Sequence, residues 1–150
     1  MSVNIEVRGL DKLLRRLDRI EQMPRTTAMN RALTAGAYVV ETNAKLLINT
    51  GTKSGNAYIR GGKTHVASAP GEAPATDTGM LVNSISTYSP LGAMNTVVVG
   101  ATAEYAVYLE FGTSRMEARP FMRPALQDNL DNVVKAIKNE LSRALMEYGI

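Results

Sequence analysis

Between Glu104 and Gln127 the chain reads EYAVYLEFGTSRMEARPFMRPALQ, and three residues in it rule out one continuous helix. Gly112 lacks a Cβ and can end a helix in the left-handed region. Pro120 and Pro124 each fix φ, remove a backbone donor and push the preceding residue toward extended geometry. A short helix is therefore expected to stop at Gly112-Thr113. A stiff elbow should follow, with Arg119 and Arg123 extended, and a long amphipathic helix should begin at Pro124. Leu126, Leu130, Val133, Val134, Ile137, Leu141, Leu145 and Tyr148 give that helix its apolar face, and Gly149 its stop. Side chains pinned by a glycine and two prolines are candidates for presentation to a neighbour: Glu110, Phe111, Gly112, Thr113, Arg119, Pro120, Phe121, Arg123 and Pro124. Within the chain, Glu110 is the expected bidentate partner of Arg119.

Val3, Ile5 and Val7 alternate with polar residues and read as a short strand closed by Gly9. Leu10, Leu13, Leu14, Leu17 and Ile20 recur at helical spacing, with Asp11 in the first turn. After Pro24, Thr26 or Thr27 can cap a second helix running to about Leu47. Its apolar residues are mostly small: Ala28, Ala32, Ala35, Gly36, Ala37 and Ala44. Gly36 costs a helix about 1 kcal/mol relative to alanine, so a closely packed neighbour is expected there.

Residues 49–77 hold five glycines and two prolines but only three large apolar side chains, Tyr58, Ile59 and Val66. That is too little to bury. The stretch reads as a long functional loop, mobile in the free subunit, with a short hairpin around Gly61-Gly62. Order resumes with a helical turn at Met80 and Leu81 leading into a strand from about Ser84 to Ser89. NTVVVGA follows as a buried strand of the same hairpin, and Tyr105, Tyr108 and Phe111 form a core or interface stripe. The class is α+β: a small antiparallel sheet with two long helices and shorter ones, in a single domain over 1–150.

The formal charge is +3, with eight Lys/Arg against five Asp/Glu in residues 1–50 and six against eight in residues 77–150. This balance permits contact with a polyanion without demanding it. Cysteine is absent, so there is no disulfide framework and no thiolate chemistry. RGGKTH at 60–65 resembles the end of a phosphate-binding loop, but position 57 is Ala57 where that pattern needs glycine. His65 is the only histidine, without a zinc or nucleophile constellation around it. Glu104, Glu110, Glu117, Asp128 and Asp131 lack the spacing of a metal-dependent nuclease cluster. No catalytic residue, metal or cofactor is expected.

The ordered set SAPGEAPATDTGMLVNSI, VVVG, YAVYLEFGT, RPFMRPAL and a terminal helix resembles the small head–tail joining and tail-component family of long-tailed bacteriophages and prophages. The resemblance is densest between about Ala67 and Leu126. It rests on Pro70, Gly71, Pro74, Gly79, Leu81, Ser84, Ile85, Tyr105, Glu110, Phe111, Gly112, Thr113, Arg119, Pro120, Phe121, Pro124 and Ala125. It implies a non-enzymatic virion protein, in the host cytoplasm before assembly and in the neck or tail region afterwards. Its implied role is a ring-forming head–tail connector or tail-completion subunit, or a terminator capping the tail tube. The implied partners are other copies of itself in sixfold or twelvefold rings, the phage connector or stopper, and tail-tube or terminator proteins. No membrane is implied. A reading from another class is a small basic DNA-binding or nuclease protein. It would hold phosphates with Arg15, Arg16 and Arg19 and with the loop residues Lys53, Arg60, Lys63 and His65, which in a connector could face channel DNA or a partner.

Overall fold

A computed structural model describes residues 25–93 and 95–148, together with Arg15, Asp18 and Arg19. The expected strand at Val3, Ile5 and Val7 and the stop at Gly149 lie outside the described residues. So does most of the first helix, of which Arg15, Asp18 and Arg19 are helical and exposed.

Helix α1 spans Arg25–Thr50, three residues beyond the expected end. The added turn has its carbonyls occupied. The Thr50 hydroxyl donates to Leu46 O at 2.9 Å, and the Gly51 N–H to Leu47 O at 3.0 Å. The residues α1 buries are Ala28, Ala32, Gly36, Val40, Ala44 and Ile48, each four positions after the last. At 3.6 residues per turn each such step overshoots a full turn by about 40°. Over the length of the stripe the buried face therefore swings roughly half-way round the helix. Its small-residue end meets one partner and its larger end another.

The first partner is α5, Leu130–Glu147. A Cβ placed on Gly36 would stand 2.8 Å from Ile137 Cγ1 and 3.2 Å from Val133 Cγ1, so the close approach expected at this glycine is present. Arg31 clamps the same pair of helices, donating to Glu140 at 2.7 Å and to Glu147 at 3.1 Å. The second partner is the core, where Val40, Ala44 and Ile48 of the helix meet Leu81, Ile85, Ala106, Phe121 and Ala125.

Hairpin strands β1, Ala57–Arg60, and β2, Lys63–Val66, pair antiparallel. They turn at Gly61 and Gly62, with φ of 56° and 74°, as a two-residue turn with both central φ values positive requires. Helix α2, Met80–Ser84, leads into β3, Ile85–Tyr88, which pairs antiparallel with β4, Val98–Ala101. β4 is half-buried along its length, not fully buried as its VVVG run suggests. Helices α3, Ala106–Phe111, and α4, Met122–Gln127, complete the chain before α5. The architecture is α+β, with two two-stranded antiparallel sheets among the described residues and α1 against β3 and β4.

The expected single C-terminal helix is two helices. Asn129 breaks it: its side-chain amide donates to Ala125 O at 3.1 Å, and its φ of −121° leaves the helical region. Asn129 stands at the N-cap of α5 without a side-chain cap bond, and its bond to the preceding turn is the kind of local competition that disfavours asparagine inside a helix. The apolar stripe also divides. Val133, Ile137 and Leu141 are half-buried, whereas Leu126, Leu130 and Val134 are exposed.

Gly36→Leu should wedge α1 from α5 and destabilise the fold by about 1–3 kcal/mol through overpacking. Ile137→Ala in the same chain should restore part of that loss. Chemical denaturation of the single and double variants checks it.

Candidate functional site

The elbow after α3 is built on hydrogen bonds to the backbone. Gly112 closes α3 with its N–H on Tyr108 O at 2.8 Å and turns the chain with φ 74°, ψ −177°. No side chain fits there, because a Cβ would meet Met116 O at 2.8 Å and Ala118 N at 2.9 Å. Thr113 and Met116 then form a tight antiparallel bridge, with Thr113 N–H donating to Met116 O at 2.7 Å. The chain returns along α3, where Arg119 N–H donates to Leu109 O at 2.6 Å.

Glu110 fastens the other side of the elbow. Its Oε2 accepts the N–H groups of Phe121 at 2.8 Å and Met122 at 2.9 Å, and its Oε1 accepts that of Arg123 at 2.9 Å. These are orphan donors at the start of α4. Pro124 has no N–H, and Ala125 N–H reaches Phe121 O at 3.3 Å. Every donor at this helix end is thereby accounted for, and the carboxylate sits where the helix dipole favours negative charge. The expected Glu110–Arg119 pair does not form, since the carboxylate is taken by the backbone. Arg119 instead donates from Nε to Ser68 O at 3.2 Å. Arg123 is helical, not extended, since it lies in the first turn of α4 with Pro124 following where a missing donor is tolerated.

Phe121 is a core residue at 1% exposure, so its side chain is not presented by the elbow. What faces outward is Phe111, 65% exposed, with the Arg123 guanidinium 5.8 Å above its ring, together with Thr113. Tyr105, Tyr108 and Val107 are exposed beside them, which makes the aromatic stripe of α3 a surface feature, not a core one. A groove of about 700 Å³ lies beside them, lined by Leu33 and Val40 of α1, Val99 of β4, Val107 and Phe111 of α3 and Leu126 of α4.

The 49–77 stretch is held by polar bonds where burial is scarce. Gly55 N–H donates to Ala67 O at 2.9 Å and Gly71 N–H to Ala118 O at 2.9 Å, so the strap is tied to both itself and the elbow. Glu72 accepts from the Ser54 hydroxyl at 2.5 Å, the Ser54 N–H at 2.9 Å and the Ala69 N–H at 2.8 Å. Those donors, the Ser54 hydroxyl foremost, hold its carboxyl below the usual range. Lys53 is turned inward onto Leu47 O at 3.2 Å and Ala73 O at 2.7 Å, and partial burial lowers its pKa. Arg60 pairs with Asp77, and His65 stacks on Tyr58 at 5.6 Å with Nδ1 3.7 Å from Asp77. Lys63 is exposed at the hairpin tip. Sequence reasoning missed Asp77, Glu72 and the Ser68 carbonyl. The turn residues Pro70-Gly71 beside Glu72 were a signal for the second, and nothing local marked the others.

Among the described residues no group of three or more His, Cys, Asp or Glu could hold a metal ion. No described helix is long and apolar enough to cross a membrane. The family model described as "Bacteriophage HK97-gp10, putative tail-component" matches residues 11–112. The match takes in more than half of the chain, and the chain belongs to this family of phage tail components, structural proteins of the virion. The matched span ends at Gly112 and leaves out the RPFMRPAL segment. No curated protein and no solved structure matches the chain.

Glu110→Ala should leave three donors unpaired and cost about 3 kcal/mol or more, close to the effect of Phe121→Ala at about 3–5 kcal/mol. Arg119→Ala should cost less than either. Thermal unfolding of the three variants tests the ranking. A second expectation concerns acid. The carboxyls of Glu72 and Glu147 lie below their ordinary value in the fold, the latter through Arg31. Their contribution is present above the unfolded glutamate pKa of about 4.3 and is lost as pH falls through the folded values. The melting temperature should therefore fall on acidification below that pH, and Glu72→Gln should flatten part of the fall.

Proposed function

We propose that this tail component is a ring-forming subunit at the head–tail junction, completing the tail so that it joins the capsid connector. The observation that carries this reading is the apolar surface around the groove. Val107, Phe111, Leu126, Leu130 and Val134 are all exposed on α3, α4 and α5. Large apolar side chains left exposed on neighbouring helices mark a protein–protein contact. The junction it would serve has rotational symmetry, and heterologous self-contact that closes is how one small subunit builds a ring. Sixfold symmetry would suit a tail tube and twelvefold a portal. The elbow residues Glu110, Phe111, Phe121 and Arg123 line that groove.

The DNA-binding reading gains less support. Lys53 is held by two carbonyls and Arg60 by Asp77, so these loop charges are engaged inside the subunit. Lys63 and Arg15 are exposed and could meet channel DNA without sequence preference.

Phe111→Asp should alter subunit stability by less than about 1 kcal/mol, because the side chain is exposed. In a host infected with phage carrying it, filled heads and full-length tails should accumulate unjoined. Electron microscopy of the lysate reads the outcome. Tails of uncontrolled length would favour a terminator, and normal joined particles would overturn the assignment of this surface.

A further inference from the structure

The β1–β2 hairpin is anchored unevenly. Its root is tied on both strands. Gly55 N–H donates to Ala67 O at 2.9 Å and Ala67 N–H to Asn56 O at 3.0 Å. Beside them Glu72 accepts from the N–H groups of Ser54 and Ala69, and Arg119 Nε donates to Ser68 O. Between Ala57 and Val66 the situation is different. Every residue there except His65 is exposed, Ile59 to 78%. The register puts Ala57, Ile59, Thr64 and Val66 on one face of the ribbon and Tyr58, Arg60, Lys63 and His65 on the other.

Among the described residues, the hydrogen bonds and ion pairs that leave this segment all end on one carboxylate, that of Asp77. Arg60 of β1 donates to its Oδ2, and Nδ1 of His65 in β2 stands 3.7 Å from its Oδ1. One side chain thus reaches both strands, with a separate oxygen for each. The Tyr58–His65 stack lies within the ribbon and ties it to nothing else. A lone two-stranded ribbon is marginal in water. This one buries too little to be held by apolar area, so its docking depends on Asp77. Asp77 belongs to the segment that enters α2, outside the tied root. Tyr58 and Asp77 also line one recess of about 310 Å³, together with Leu81, Leu109 and Arg119. A hairpin that leaves Asp77 takes Tyr58 away from that recess.

We propose that Asp77 is a latch. Residues 57–66 exchange between a hairpin docked on its carboxylate and an open loop that starts from the tied root, and opening uncovers the recess. The opening is local, because a segment with little buried apolar surface separates from the rest of a fold at low cost. It responds to salt, because ion pairs that solvent reaches are screened. This inference does not depend on the ring reading.

Cleavage of the native full-length subunit by chymotrypsin at Tyr58 tests it, because a paired strand must open before the protease can hold it. Normalised to the same segment as a free peptide, the rate follows the open population. Asp77→Asn and Arg60→Gln should each be cut about three- to fivefold faster than wild type at low salt. High salt should raise the wild-type rate toward theirs and leave their own rates unchanged. Arg60→Gln keeps both the Tyr58–His65 stack and the entry to α2, so it reports on the latch even where Asp77→Asn disturbs the neighbouring loop. Thermal unfolding of Arg60→Gln should match wild type. Cleavage of Arg60→Gln at the wild-type rate would overturn the latch, as would a salt response equal in wild type and variants. Faster cleavage that merely follows a lowered unfolding temperature in Arg60→Gln would show global opening, and would overturn it too.

Discussion

The bond set that the rest of the structure depends on is the carboxylate of Glu110 across three backbone N–H groups. It belongs to α3, and the groups it satisfies begin α4. One side chain therefore fixes the distance and angle between two short helices, neither long enough to be stable alone. Its effect extends inward. With the first donors of α4 satisfied, Phe121 and Ala125 can point into the core at 1% and 0% exposure without a buried polar group left unpaired behind them. Gly112 supports the same geometry from the other end, because only glycine permits the chain to double back against Met116 and Ala118.

The helix that receives Phe121 is α1, and its sequence contains two interfaces in succession. A stripe repeating every four residues precesses about the axis, so one helix serves two directions. The first part is alanine and glycine, which lets α5 come close enough for Ile137 to lie over Gly36. The second part is Val40, Ala44 and Ile48, which meets Ile85 and Phe121. The grading from small to large residues is what places α5 and the core on different sides of α1. The groove lies between them, lined by Leu33 and Val40 of α1 and by Val133 and Ile137 of α5.

Features governed by local backbone rules were legible in the sequence. The Gly61-Gly62 turn, the end of α3 at Gly112, the close packing at Gly36 and the α2-to-β3 junction each follow from the conformations a residue permits. Features governed by competition for hydrogen bonds were not. Opposite charge suggested Glu110 with Arg119, but a helix start made of Phe-Met-Arg-Pro has no capping side chain of its own and draws the nearest carboxylate. Asn129 reads as one more polar residue on an amphipathic helix, until its amide is seen on the Ala125 carbonyl. The 49–77 stretch looked loose because apolar residues are few, whereas Glu72 and Lys53 supply polar ties that hydropathy does not register. The flanking prolines suggest an outward Phe121, while its place at the start of a helix suggests a core one, and the core reading holds. Pinning a backbone does not determine which way its side chains point, and here the helix that begins at Met122 turns the ring inward.

These ties also bear on how such a subunit assembles. Association costs translational freedom and the ordering of any segment that must settle at the contact. The strap from Gly55 to Ala73 is already bonded to α1 and to the elbow, and Asp77 already holds the hairpin by Arg60. Holding Lys53 and Arg60 within the subunit has a second effect. It removes basic groups that would otherwise hold nucleic acid at low salt, which is a non-specific competitor for any surface left open before assembly. The apolar groove and the apolar ribbon face then remain as the groups with most to gain from leaving water. Each is limited in extent and bordered by charge, the groove by Arg123 and the ribbon by Arg60 and Lys63. On the proposed ring reading, a contact that is weak between two copies gains strength when closure makes every subunit use two surfaces at once.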